Sequence, residues 1–285
     1  MISVVVPAFD EAEGVAETVA EIVTTLAAED DYEILVVDDG SGDGTGQAAE
    51  DAGATLLRHP HNAGYGKSLK DGIRAARHDT IVICDADGSY PAEAIPELVA
   101  AYREGFDMVV GARQSYRDSL WKAPLRRVLK WLVEYTVGRR TPDVNSGLRV
   151  FSRETILGYL PTLSDSFSFT TSLTLAYMMS HRFVAYRPVA YRQRRGSSKV
   201  RLVRDSLRTL QYIVQAVLYY NPLKIFILLS VFCLVLALAG GLLRYTLGSP
   251  AGLWLGVGGL LAAVVVFSLG LLADLLKQIL DRART

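Results

Sequence analysis

An α/β domain built on a mostly parallel sheet with helices on both faces, followed by a two-helix membrane hairpin, is the fold class the sequence predicts. Three observations predict it. Short β-branched runs alternate with helical stretches through the first 110 residues, Asp-rich clusters follow those runs, and the hydrophobic excess gathers into two charge-free stretches near the C-terminal end. Half of the 285 residues are hydrophobic and the mean hydropathy is +0.23, high for a soluble enzyme of this length.

The strand-like runs are Ser3–Val6, Ile34–Val37, Thr55–Leu57, Ile81–Cys84 and Met108–Val110, and between them lie Glu13–Ala28, Thr45–Ala52, Ser68–Arg77 and Ala92–Arg103 with helical patterning. Alternation at this spacing favours parallel pairing, because each crossover helix covers one face of the sheet. Ligands of such sheets bind beyond the carboxyl ends of the strands. Polar clusters stand at those ends: Asp10-Glu11 after the first run, Asp38-Asp39 after the second and Asp85-Ala86-Asp87 after the fourth.

Side-chain alternation along the extended chain would send Asp85 and Asp87 to the same side. Two carboxylates set together repel unless a cation joins them, and a hard divalent ion bound to a diphosphate fits. The competing reading is a pair of solvated turn acids ahead of a helix beginning at Pro91. Two other phosphate signatures fail. No G-x-G-x-x-G follows the first run, and His61–Ser68 ends like a phosphate-binding loop but has His61 in place of its first glycine. The Gly64-Tyr65-Gly66 turn fits either an anion at exposed amides or a plain loop and cap.

The formal net charge is zero, with 30 Lys and Arg against 30 Asp and Glu, yet the two parts differ. Residues 1–107 hold 6 basic and 22 acidic side chains, and residues 108–285 hold 24 basic and 8 acidic ones. This composition excludes a disordered chain and a uniformly basic nucleic-acid binder. Two cysteines are too few for a secreted disulfide scaffold. Cys84 lies in an apolar run and Cys233 in an expected span, so no bridge between them is expected. Met1–Val6 leads at once into polar residues, without the basic start of a signal peptide.

Ile225–Leu243 is free of charge, and Leu253–Leu272 is almost wholly apolar. Each run is long enough to cross a bilayer core, which takes about 20 residues. The Gly248-Ser249-Pro250 turn joins them into a hairpin. Basic residues gather before the first span and after the second, while the connecting loop offers Arg244. The positive-inside rule then expects residues 1–220 and the tail in the cytoplasm, with the protein integral to the cytoplasmic membrane or its equivalent.

Residues 113–140 carry eight basic groups, among them Arg113, Arg126 and Arg127, with Trp121, Leu125, Val128, Leu129, Leu132 and Val133 at helical spacing. An apolar stripe beside a cationic face is the pattern of a helix lying in the membrane interface. The expected organisation is therefore a domain over 1–200 containing an interfacial helix at about 117–137, then an amphipathic juxtamembrane helix at 201–222. Two spans within 223–274 (about 225–243 and 253–272) and a tail over 275–285 complete it.

Val6-Pro7-Ala8-Phe9-Asp10-Glu11, Val37-Asp38-Asp39-Gly40-Ser41-Gly42-Asp43-Gly44-Thr45 and Asp85-Ala86-Asp87-Gly88-Ser89-Tyr90-Pro91 resemble the motifs of family 2 glycosyltransferases of GT-A fold. Asn145-Ser146-Gly147-Leu148-Arg149-Val150-Phe151 and Arg195-Gly196-Ser197-Ser198-Lys199 extend the likeness over about residues 1–220. It is greatest to the branch containing dolichol-phosphate mannose synthase and the bacterial polyprenyl-phosphate glycosyltransferases. Asp10 stands where the family usually has Asn, and Ser89 where mannose synthases often have Gln.

The resemblance implies that Pro7, Phe9, Glu11, Asp38, Asp85 and Ala86 hold the nucleotide. It implies further that Asp85 and Asp87 meet the donor diphosphate through Mg²⁺ or Mn²⁺, with Ser89 adding an oxygen, and that Ser198 and Lys199 close over that diphosphate. Asp85, Asp87 and Lys199 would then be the catalytic set. The donor is expected to be GDP-mannose or a UDP-hexose, and the acceptor a dolichyl or undecaprenyl phosphate in the membrane. Arg113, Arg126, Arg127 and Arg149 are the candidates for gripping the acceptor phosphate, since Arg binds phosphate bidentately. Direct displacement would invert the anomeric centre. Nucleic acid is not an expected partner, and a homo-oligomer is compatible with the chain. The alternatives are a processive polysaccharide synthase, which would carry Q-x-x-R-W and more spans, and a membrane-tethered protein that binds a nucleotide sugar without turnover.

Overall fold

The computed structural model of the chain describes residues 1–29, 31–114, 123–192 and 202–282. It divides into two compact units, Met1–Tyr212 and Ile213–Thr285.

The first unit is a sheet of seven strands: β1 (Ile2–Ala8), β2 (Tyr32–Asp38), β3 (Thr55–Arg58), β4 (Thr80–Ile83), β5 (Met108–Gln114), β6 (Arg149–Ser152) and β7 (Val184–Ala190). Their spatial order is β3-β2-β1-β4-β6-β5-β7. The chain winds outward from β1 through β2 to β3 and then returns to lay β4 on the other side of β1. That reversal opens a crevice at the carboxyl ends of β1 and β4, where open α/β sheets hold ligands. Pairing among β1–β4 is parallel, and β6 runs antiparallel to both β4 and β5.

The five runs named from sequence appear as β1–β5. β6 and β7 are not among the runs read from sequence. β1 is buried along its whole length, as a central strand with helices on both faces should be. Pro7 sits within it at no cost to the β4 ladder, which pairs Ser3–Val5 and stops before the residue that lacks an N–H.

Helix α1 (Ala12–Leu26) packs Val15, Val19, Ile22 and Leu26 onto the sheet, the 3.6-residue spacing that its sequence shows. Helices α2 (Thr45–Asp51), α3 (Tyr65–Ala75) and α4 (Ile95–Arg103) follow β2, β3 and β4, with a 3-10 turn at Ala92–Ala94. α5 (Ala123–Val137) is the helix expected at 117–137. Val133 and Thr136 are buried on its inner face, while Val128 and Trp131 are more than half exposed. Trp121 of the expected stripe lies outside the described residues. α6 (Arg153–Leu157) and α7 (Phe169–Met179) complete the unit, α7 being almost wholly buried.

α8 (Leu202–Tyr220) crosses the division between the units. The second unit holds α9 (Pro222–Leu247) and α10 (Pro250–Arg282). Gly248 ends α9 at φ +64°, the left-handed cap that glycine accepts freely, and Pro250 opens α10 where its missing N–H is harmless. Glycines bring the two helices together: a Cβ on Gly240 would lie 2.4 Å from the Gly256 nitrogen. The Ser230 hydroxyl donates to the Ala263 carbonyl at 3.0 Å, which keeps that polar group satisfied inside the pair. Both helices are long and apolar enough to cross a membrane, and only 6% and 11% of their most apolar windows are buried. Core helices of that hydropathy would bury far more.

Candidate active site

Four loops meet at the crevice. The first carries Phe9, Asp10 and Glu11. Asp10 takes φ +48°, a left-handed conformation that Asn and Asp tolerate better than other side chains. Either residue therefore serves at this position. Its Oδ1 accepts from the Gly42 N–H at 3.0 Å, and its own N–H donates to Ser41 Oγ at 2.9 Å. The Glu11 N–H donates to Thr45 Oγ1 at 2.9 Å, and Thr45 donates in turn to Asp43. Asp43 also accepts from the Ala12 N–H. Burial would raise the Asp43 carboxyl, but the bonds from Thr45 and Ala12 outweigh it and hold it below its usual range.

The second loop follows β2. Asp38 is 1% exposed; its Oδ1 accepts from the Ser41 N–H at 2.9 Å. Its Oδ2 receives no hydrogen bond among the described residues and has Arg58 Nε at 3.4 Å. A side chain at Gly46 would fill the space beside it, since a Cβ there would lie 2.9 Å from Oδ2. A cleft lined by Gly40, Ser41, Arg58, His59 and Pro60 opens next to this carboxylate. Asp39 has a different task. It accepts from the Ala63 and Gly64 N–H groups at 2.9 and 2.8 Å and lies 2.7 Å from His59 Nδ1, so it shapes the loop that leads into α3.

The Gly64-Tyr65-Gly66 turn opens α3 within this network. Its Gly64 N–H, like that of Ala63 just before it, is spent on Asp39, and the Lys67 N–H just after it donates to the Asp165 carbonyl at 3.1 Å.

The third loop is Asp85–Tyr90. β4 ends at Ile83, so both acids lie beyond the strand and a turn, with Gly88 at φ +68°, sets their directions. The expected alternation does not apply there. Gly14 of α1 allows the close approach of this turn, because a Cβ on it would lie 2.7 Å from the Ala86 carbonyl. Thr18 donates to that same carbonyl at 3.3 Å. Ala86 is buried and meets the rest of the site through its backbone. Asp87 is 7% exposed and accepts from the Ser89 N–H at 3.1 Å, while the Ser89 hydroxyl is fully buried.

Asp85 is held by groups the sequence did not single out. The Tyr65 hydroxyl donates to Asp85 Oδ1 at 2.8 Å. Burial, reinforced by the Asp85 charge, pushes that phenol well above its usual value, so it stays a donor. The other side of the carboxylate lies on Gly147, where a Cβ would fall 2.1 Å from Oδ2. The Gly147 N–H donates to the Tyr90 hydroxyl at 2.9 Å. Gly147→Ala is therefore expected to displace Asp85 and lower kcat/KM about 10²-fold, the scale of a ~1 Å misplacement, with the unit still folded. Steady-state kinetics beside circular dichroism checks it; unchanged kinetics would remove Gly147 from the site.

The fourth loop, before β6, corrects the expected arginine grip. Arg149 is 0% exposed. Its guanidinium donates to the Ser146 carbonyl at 2.9 Å, the Val144 carbonyl at 2.8 Å and Thr174 Oγ1 at 2.8 Å. Burial lowers its pKa from the ordinary value. Its donors face the chain itself, so it holds the Val144–Gly147 loop against α7 and has no surface to offer a lipid phosphate. Arg113 forms a fork with Asp143, Nε to Oδ2 at 2.7 Å and Nη2 to Oδ1 at 2.8 Å, and lies over the Tyr191 ring. Burial works against the Asp143 charge, but these bonds hold its carboxyl below the usual range. The pair's contribution is present above an ordinary carboxylate pKa near ~3.9 and is lost as the pH falls through the lowered value. Arg127 is exposed on α5; the Arg126 side chain, Ser198 and Lys199 lie outside the described residues.

Residues 3–156 match the profile described as Glycosyl transferase family 2. An undecaprenyl-phosphate 4-deoxy-4-formamido-L-arabinose transferase from Enterobacter sp. (strain 638) is 33% identical over 249 residues, covering 84% of this chain and 73% of its own length. The enzyme of that name from Klebsiella pneumoniae is 31% identical over 305 residues, covering 99% of this chain and 90% of its own. Among solved structures, glucosyl-3-phosphoglycerate synthase from Mycobacterium tuberculosis in complex with Mn²⁺, UDP and phosphoglyceric acid superposes with a TM-score of 0.64 at 22% identity, over 76% of this chain and 78% of that one. That likeness is one of fold. The crevice at the sheet reversal, its paired acids and the sequence match lead to one family: the chain belongs to glycosyltransferase family 2 and is a glycosyltransferase.

Proposed function

We propose that the enzyme transfers a sugar, with inversion, from a nucleoside diphosphate sugar to the phosphate of a membrane polyprenyl phosphate. The observation that carries this reading is the extent of the match to the undecaprenyl-phosphate transferases, which runs through 99% of the chain and takes in the two membrane-length helices.

Asp38, beside the cleft at Arg58 and Gly40, is the residue for the nucleoside, its buried Oδ2 ready to accept from a base or ribose. Phe9 and Glu11, in the loop after β1, are proposed to join it, with buried Pro7 in the strand beneath. Asp85 and Asp87 belong at the diphosphate. Among the described residues no three His, Cys, Asp or Glu side chains cluster as a closed metal site. Two carboxylates are a hard, incomplete oxygen set, which suits Mg²⁺ or Mn²⁺ completed by diphosphate oxygens and water. Asp85 and Asp87 would hold the ion, Ser89 remaining a candidate oxygen, and the bound ion would neutralise charge on the departing diphosphate. Lys199 and Ser198 are proposed to approach the same diphosphate.

The attacking atom is a phosphate oxygen of the acceptor. It forms the bond to the anomeric carbon as the bond from that carbon to the diphosphate oxygen breaks. A phosphate monoester with a second pKa near ~6 is already largely ionised at neutral pH, so no side chain has to take a proton from it. His59 fits this, being engaged between Asp39 and Asp71. Catalysis is then positioning and electrostatic stabilisation. The acceptor phosphate is proposed to meet the exposed basic face of α5, represented by Arg127, with Arg126 as its neighbour in the helix. The catalytic unit is proposed to lie on the cytoplasmic face.

Turnover of GDP-mannose and UDP-hexoses against undecaprenyl and dolichyl phosphate in detergent tests the reading; hydrolysis or inertness with every pair would reject it. Truncation before Ile225 is expected to leave a folded first unit that loses most activity on acceptor embedded in vesicles while retaining it on short-chain acceptor. Equal activity of truncated and full-length protein on vesicles would show that the hairpin does not serve the acceptor.

A further inference from the structure

Phe167 is 41% exposed, although it belongs to a loop that is otherwise polar, Ser164-Asp165-Ser166 and Ser168. It fills no core. Its ring stacks on Tyr65, with centroids 5.6 Å apart and planes 18° from parallel. Tyr65 in turn donates its hydroxyl to Asp85 at 2.8 Å. An exposed aromatic face is therefore fixed, through one ring and one hydrogen bond, to the first acid of the pair that serves the diphosphate.

The loop is held firmly. Cβ atoms on Gly64 and Gly66 would lie 2.6 and 2.2 Å from the Asp165 and Ser164 carbonyls, so the two loops touch backbone to backbone. Buried Lys70 donates to the Leu163 carbonyl and pairs with Asp165, both at 2.6 Å. Asn145 stands at the same end of α7. Its Oδ1 accepts from Thr171 in the first turn at 2.7 Å, which leaves its exposed amide NH₂ as a donor to whatever lies outside.

We propose that Phe167, backed by Tyr65, is the platform for the sugar ring of the donor, and that the Asn145 amide bonds a hydroxyl of that ring. The proposal rests on the nucleotide-sugar reading given above and assigns the part of the site that recognises the transferred sugar. A pyranose offers a patch of C–H groups on one face and hydroxyls around its edge. An aromatic face covers the first, and a few placed polar groups satisfy the second. The position along the donor agrees. Asp85 and Asp87 are assigned to the diphosphate beyond β4, and Phe167 is joined to Asp85 through Tyr65.

The test compares binding of sugar nucleotides and bare nucleotides by the full-length protein in detergent with Mn²⁺, using calorimetry with UDP-glucose against UDP and GDP-mannose against GDP. For whichever pair binds the wild type, Phe167→Ala is expected to weaken the sugar nucleotide roughly five- to thirtyfold and to leave the bare nucleotide within about twofold. Phe167→Trp should retain affinity. Asn145→Ala should act in the same selective way, more weakly. Equal weakening of both ligands, or none, overturns the platform, as does a Phe167→Ala effect confined to the acceptor KM. If neither bare nucleotide binds the wild-type protein, the nucleotide-sugar reading falls and the platform with it. Phe167 is partly exposed, so loss of fold is not the expected result, and an unchanged thermal transition confirms that each variant is intact.

Discussion

Asp87→Asn is expected to lower kcat/KM about 10²–10³-fold, the scale of removing one group that stabilises charge in the transition state, with the thermal transition left in place. The substitution is isosteric. The side-chain oxygen that accepts from the Ser89 N–H at 3.1 Å survives in the amide, so the turn keeps its bond and loses only the charge. On the proposed reading that charge, with Asp85, lets an acidic crevice take up a diphosphate and its cation. Asp39→Asn is the contrasting variant. Asp39 accepts from the Ala63 and Gly64 N–H groups and meets His59, so its loss should loosen the loop ahead of α3 and lower stability along with activity. Kinetics and thermal unfolding on both variants separate the roles. Full turnover by Asp87→Asn, or by the wild type in excess chelator, would sink the diphosphate–cation role of this acid.

The layout of the first unit was legible because its signals are local. Val4, Val5 and Val6 at a buried strand, and Asp85 and Asp87 just past another, can be read from a few neighbours. β6 and β7 were not, because β6 runs antiparallel to both its neighbours, outside the parallel strand–helix alternation, and β7 follows a helix whose apolar residues run all round. Site residues divide in the same way. Asp38, Asp85 and Asp87 announce themselves by charge at strand ends. Tyr65, Gly147 and Phe167 act through contacts between loops far apart in sequence, 62 residues for Gly147 and Asp85, 102 for Phe167 and Tyr65 and 20 for Tyr65 and Asp85. The Gly-Tyr-Gly turn was a visible signal for Tyr65. Its amides carry the anion reading, while the ring between the glycines has no pattern of its own to mark it. Arg149 misled for a physical reason. A cation in a basic half of the chain suggests an anion outside, but a guanidinium can be satisfied by carbonyl oxygens within, and pattern alone does not distinguish the two.

Arg149→Ala follows from that distinction. It should unfold the first unit more easily rather than weaken one substrate. The variant leaves the Ser146 and Val144 carbonyls and the Thr174 hydroxyl without their shared donor in a fully buried position. Each orphaned partner costs about 1–3 kcal/mol, so a loss of roughly 3 kcal/mol or more is expected. For a unit of this size that lowers Tm by about 6–12 °C. The Ser146–Gly147 loop carries the glycine on which Asp85 rests, so the remaining folded enzyme should show poorer saturation by donor and acceptor together. Arg127→Ala, on the exposed face of α5, should instead leave Tm unchanged. It should raise only the apparent KM for polyprenyl phosphate, by about two- to fivefold, as an exposed charge contact would. Thermal unfolding and two-substrate kinetics on the pair decide the matter. A stable Arg149→Ala protein with a selective acceptor defect would return that arginine to the lipid phosphate, and would mean that the buried guanidinium leaves its carbonyl partners when the acceptor arrives.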